Sequence, residues 1–118
     1  MLRIREEQMD VLRGAIVARY HERLLRALAD ADPDAVQGHS ESSLREHVRV
    51  GVEKGAELAI VETADVLRYV GLLLRFGVSL DADPRRPAVG YLLRQSGKSA
   101  RNKLADVEAW FLAHEGPP

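Results

Sequence analysis

The chain contains no cysteine, which removes disulfides, thiol catalysis and cysteine-ligated zinc from consideration. Aromatic residues are scarce: Trp110, Phe76, Phe111, Tyr20, Tyr69 and Tyr91 are all there are. The core must therefore be built from Leu, Val, Ile and Ala, a palette that suits packed helices. A net charge of −1 sets up no global field for nucleic acid or anionic lipid. No apolar run approaches the ~20 residues of a membrane span; the stretch at Leu72–Leu74 is bounded by Arg68 and Arg75. The beginning, Met1-Leu2-Arg3-Ile4-Arg5-Glu6-Glu7, lacks the apolar run of a signal peptide, and a cytoplasmic location is expected.

What is present is ordinary for one globular domain: 118 residues, 46% apolar and 30% charged. Met9, Leu12, Ile16, Tyr20, Leu24 and Leu28 recur at steps of three and four, which predicts a first helix from about residue 3 to about residue 29. At 1.5 Å per residue it would be ~40 Å long and form the spine of the domain. Asp30-Ala31-Asp32-Pro33-Asp34 ends it, because the residue before a proline is pushed out of the α region.

Ser43-Leu44-Arg45-Glu46 has the spacing of a capping box, so a second helix is expected from Ser42 or Ser43, lined by Leu44, Val48, Gly51 or Val52, Gly55 and Leu58. Each internal glycine costs ~1 kcal/mol relative to alanine, so a closely approaching helix backbone is expected opposite them. After a turn near 59–63, Val66, Tyr69 or Val70, Leu73 and Phe76, widened by Leu67 and Leu74, line a third, central helix that Gly77 terminates in a left-handed conformation. A loop over 78–87, a short helix from Ala88 to about Gln95, and a last helix from Ser99 to His114 facing inward through Leu104, Val107 and Phe111 complete the chain. No segment alternates with strand period. An all-α bundle of four to five helices follows, one domain over 1–115 with a tail at 116–118.

Five patterns bear on chemistry. Asp30, Asp32, Asp34 and Glu41 stand at positions 1, 3, 5 and 12 of a calcium-loop register. Against calcium, Ala35 occupies the position that needs glycine, Gln37 the aliphatic one, and Pro33 stiffens the loop. Ser96-Gly97-Lys98-Ser99 carries the end of a phosphate-loop motif without its first glycine or a preceding strand, and is read as a loop with a serine-capped helix. His21, His39, His47 and His114 are read as isolated and exposed; His39 and His47 meet only if the loop folds back. No serine lies in a nucleophile elbow, and Glu6-Glu7 suits an exposed helix start. No catalytic residue, metal ligand or cofactor is assigned.

The fifth pattern is charge. From Arg85 to Lys103 the chain carries Arg85, Arg86, Arg94, Lys98, Arg101 and Lys103 and no acid. Such a segment can meet phosphates, or pair with Glu53, Glu57 and Glu62 elsewhere, and an acidic protein partner is at least as well matched. The expected partner-binding residues are Arg85, Arg86, Arg94, Lys98 and Arg101 with Asp81 and Asp83 of the adjacent loop, whose carboxylates can also accept from loop amides.

Tyr69-Val70, Leu73, Phe76-Gly77 and Leu80-Asp81-Ala82-Asp83-Pro84, with Ile4-Arg5, Glu7-Gln8-Met9, Leu44-Arg45, Val48, Gly51-Val52 and Leu58-Ala59-Ile60, form a spaced pattern over most of the chain. It resembles small helical bacterial proteins encoded beside PAAR-type spike proteins and effectors in type VI secretion loci. The chain departs at Ala59 and Val61, where that pattern has glycine and a hydroxyl residue, and in its loop from Asp30 to Ser40. The resemblance implies a non-enzymatic accessory, adaptor or chaperone that binds an effector, a spike component or a toxin. A nucleic-acid-binding regulator and an immunity protein are the alternatives, and oligomeric state stays open.

Overall fold

The computed structural model describes the backbone of residues 2–116 and the side chains of residues 8–116. What was expected of Glu6, Glu7 and the Pro117-Pro118 tail lies outside the described side chains and backbone. Among the described residues the chain is all-α and forms no strand. The described residues form six helices, where four to five were expected: α1 (Leu2–Ala31), α2 (Pro33–Val36), α3 (Glu41–Glu57), α4 (Thr63–Phe76), α5 (Pro87–Leu93) and α6 (Ala100–His114). A 3₁₀ turn covers Leu80–Ala82. The additional helix is α2. Its single turn is nucleated by Asp32, whose carboxylate accepts from the Ala35 amide at 3.4 Å, with Pro33 pre-set at the first position. None of the described helices is long and apolar enough to cross a membrane.

The apolar pattern of α4 makes it the centre. Every residue from Tyr69 to Leu74 is buried, and α1, α2, α3 and α6 pack against it. Leu24 and Leu28 of α1, Val48 of α3, Leu93 of α5 and Leu104, Val107 and Phe111 of α6 complete the core. Gly77 ends α4 at φ +109°, a positive φ as its position in the sequence requires.

The N-cap of α3 is Ser40, whose hydroxyl accepts from the Ser43 amide at 3.1 Å, and not Ser42 or Ser43. Starting earlier gains the Leu44 amide bond to the Ser40 carbonyl at 3.0 Å. The two glycines of α3 answer to different neighbours. A Cβ on Gly51 would clash with Val70 Cγ2, so here it is a side chain of α4, and not the expected helix backbone, that fills the space. A Cβ on Gly55 would lie 2.7 Å from the Ile60 carbonyl oxygen, which belongs to the chain's own reversal after the helix.

That reversal has two nested bonds, Ile60 N–H to Gly55 O at 2.7 Å and Ala59 N–H to Ala56 O at 3.3 Å. Its left-handed position is filled by Ala59, at φ +61°. An L-residue there carries a Cβ penalty that glycine avoids. Ala59→Gly is expected to raise stability by about 0.5–1 kcal/mol, the strain relief outweighing glycine's added unfolded-state entropy. Urea denaturation checks this; a less stable variant would show that entropy wins.

The first half of α1 corrects the expectation of a spine. Leu24 and Leu28 are buried, but Met9 is 49% exposed and Leu12 and Ile16 are each 55% exposed. The cause is the spacing. Each four-residue step advances about 400°, some 40° past a full turn. From Leu12 through Ile16, Tyr20 and Leu24 to Leu28 the stripe therefore winds about 160° around the helix. No single neighbour can cover it all. The helix runs past the core, and the chain measures 58 × 34 × 23 Å with a radius of gyration of 16.0 Å.

Candidate functional site

The residues expected at the docking face separate into buried, mutually paired and accessible groups. Asp81 is buried, held in the 3₁₀ turn with Lys54 Nζ at 3.7 Å and Arg94 Nη2 at 3.6 Å from its carboxylate. It is an internal counter-ion, out of a partner's reach. Its backbone oxygen would lie 2.5 Å from a Cβ on Gly90, so α5 closes directly on this turn. The buried Tyr69 hydroxyl is pushed up from its ordinary pKa by its burial and then by the Asp81 charge.

Asp83 organises the loop. Its carboxylate accepts from the Arg85 amide at 2.9 Å and from the Arg85 and Arg86 guanidiniums at 3.3 and 3.0 Å. The amide donation, with the arginines behind it, holds Asp83 below the usual carboxylate range. Arg86 also grips Glu115 with bonds of 2.7 and 2.8 Å, lowering that carboxyl, and lies over the Phe76 and Phe111 rings at 5.3 and 5.4 Å. It fastens the loop to the end of α6 and is half-buried.

Lys103 leaves the surface altogether. It is buried and donates to the Leu58 carbonyl at the end of α3, 2.8 Å away. Lys98 pairs with Asp106 of α6. The counter-ions of the basic segment are thus Asp81, Asp83, Asp106 and Glu115; Glu53 and Glu57 are engaged by Arg49 and Lys54 of their own helix. The one-signed run in the sequence is largely neutralised in space by acids just outside it.

What stays accessible is a groove of about 560 Å³ at the end of α5, lined by Tyr91, Arg94, Gln95, Ser96, Gly97 and Lys98. Tyr91 is 69% exposed, and Arg94 and, on the first turn of α6, Arg101 are exposed as well. Gly97 turns the chain at φ +76°, and Ser99 caps α6 by accepting from the Asn102 amide at 3.2 Å, as its position in the sequence implied. Tyr91 stood out in the sequence only as an aromatic among arginines. Its exposure is what adds it to the face.

The other sequence candidates resolve differently. Asp32 caps α2 and accepts from Arg75 at 2.7 Å, while Glu41 pairs with Arg45 at 2.8 Å. These acids are committed to helix ends and arginines. Among the described residues no three histidine or acidic side chains converge to hold a metal ion. His39 and His47 do meet, their rings 5.3 Å apart and edge-on. His39 Nε2 donates to the Leu74 carbonyl at 3.2 Å, which leaves Nδ1 to accept from the Ser43 hydroxyl at 3.1 Å. The His47 Nδ1–H donates to the Ser43 carbonyl at 2.6 Å. The loop folds back, so this pair is neither isolated nor exposed: it joins the last turn of α4 to the first of α3. His114 is exposed and stacks on Trp110 at 4.6 Å.

A second concavity, about 180 Å³, lies between the Asp32–Arg75 and Arg68–Glu108 ion pairs over Leu72, Phe76 and Phe111. It is smaller than the ~300–1,000 Å³ of ordinary small-molecule sites. No protein-family model matches the chain, and neither a curated protein nor a solved structure matches it.

Proposed function

We propose that this chain is a non-enzymatic accessory or adaptor protein that docks an acidic surface of a protein partner onto the end of α5. The observation that carries this reading is Tyr91, which stands exposed on the groove that Arg94 and Lys98 line. Tyrosine and arginine concentrate binding energy at protein interfaces, because each offers a large, stiff contact area and a polar end. The basic side chains attract acids and set orientation. The resemblance in sequence supplies the proposed setting, the loading of an effector or spike component of a contractile secretion system.

Arg94 is a poor test residue, since it also neutralises buried Asp81. Tyr91→Ala and Arg101→Glu alter exposed positions and leave that pair intact. Each is expected to reduce partner recovery in a native-host pull-down about tenfold or more, the loss of an interface anchor. Undiminished recovery with both variants removes this surface. Partner loss replaced by nucleic-acid binding that collapses with salt would favour the regulator instead.

A further inference from the structure

We infer that the projecting half of α1 is a self-association surface, on which a second copy of this chain lies antiparallel. Four observations converge on that occupant.

The first is pattern. Met9, Leu12 and Ile16 are exposed at spacings of three and four, the a–d–a spacing of a two-helix seam. They lie within about 60° on the helix surface, narrow enough for one partner helix to cover.

The second is area. A folded monomer of 13.1 kDa is expected to expose about 6,400 Å². This chain exposes 7710 Å². The excess is larger than the ~800 Å² that each partner contributes to a standard interface. The radius of gyration agrees: 16.0 Å, against about 13.5 Å for a compact chain of this length.

The third is helix stability. A lone helical segment of this length is marginal in water, and this one carries Gly14 with open space around its Cα. It needs something to pack against.

The fourth is charge, which selects the direction. Continued along the helix, the seam passes through Arg19. A parallel pair would stack Arg19 on Arg19 of the other copy. An antiparallel pair separates the two and sets Met9 level with Leu12 of the other copy. Such a contact is isologous and closes at two copies. It also places the two cores at opposite ends of the paired segment, leaving both α5 grooves open for partners.

Sedimentation equilibrium on the full chain tests it. From about 1 to about 100 μM the chain is expected to populate a species of twice its mass. Leu12→Glu and Ile16→Glu change exposed side chains, so circular dichroism of the core should persist while dimerisation weakens about 30-fold or more. Direction is read from single cysteines, since the chain has none of its own. A mixture of Met9→Cys and Leu12→Cys chains should cross-link to each other in preference to themselves. A chain that stays monomeric throughout, or a dimer that survives both glutamates, overturns the proposal; self-cross-linking at each position overturns the antiparallel arrangement. None of these results bears on the α5 groove, whose own test uses different residues.

Discussion

Phe111→Ala should destabilise the fold by about 3–5 kcal/mol, the largest single loss expected in this chain. Phe111 is buried in α6 and stacks on Phe76 of α4 with ring centroids 3.8 Å apart and planes 7° from parallel. Trp110 meets it edge-on at 5.2 Å, and the Arg86 guanidinium covers the same pair of rings. Truncation to alanine removes the transfer energy of the ring and leaves a cavity beneath the 180 Å³ crevice, which solvent can then enter. It also strips Arg86 of part of its platform, so the loop that Arg86 ties to Glu115 should loosen too. With ordinary domain stabilities at about 5–15 kcal/mol, the variant would sit near the edge of folding. Urea denaturation measures the loss. A double-mutant cycle with Phe76→Ala should return a coupling of about 0.5–1.5 kcal/mol. A change below about 1 kcal/mol for Phe111→Ala would mean that α6 is not docked as described.

Lys103→Met should cost about 1–3 kcal/mol, although it replaces a buried charge with an apolar side chain of similar length. Two effects oppose each other. Burying an ammonium is unfavourable, and methionine relieves that. Against it, the Lys103 ammonium donates at 2.8 Å to the carbonyl of Leu58, where α3 ends and its carbonyls are left without intrahelical partners. The helix dipole favours a cation there, and methionine leaves a buried carbonyl unsatisfied. Because only the donor is removed, the orphaned acceptor decides the sign. Thermal and urea unfolding of the two proteins provide the check. A Lys103→Met chain as stable as the parent, or more so, would show that the desolvation of the ammonium outweighs its bond.

The helices were legible from local signals. The periodicity of Val66, Val70 and Leu73, the glycine after Phe76 and the serine before α6 depend on neighbours within one or two turns, and those features appear where the sequence placed them. The cap of α3 was misplaced by two or three residues because Ser40, Ser42 and Ser43 offer competing hydroxyls within one turn. The docking face was legible only in part. Its charges could be counted along the chain, but not their pairing. Asp81, Asp83, Asp106 and Glu115 become counter-ions through the return of the loop and the direction of α6, neither of which has a local signature.

By itself, the sequence determined that this chain is helical, which helix is central and where most helices stop, since apolar spacing, caps and glycines act over a few residues. Only the tertiary structure decided which apolar residues find a neighbour and which charges remain free. Met9 and Leu24 belong to one stripe in the sequence, yet one is exposed and the other buried. Burial depends on whether another helix reaches that level and angle of α1, and spacing within one helix carries no information about where the others end.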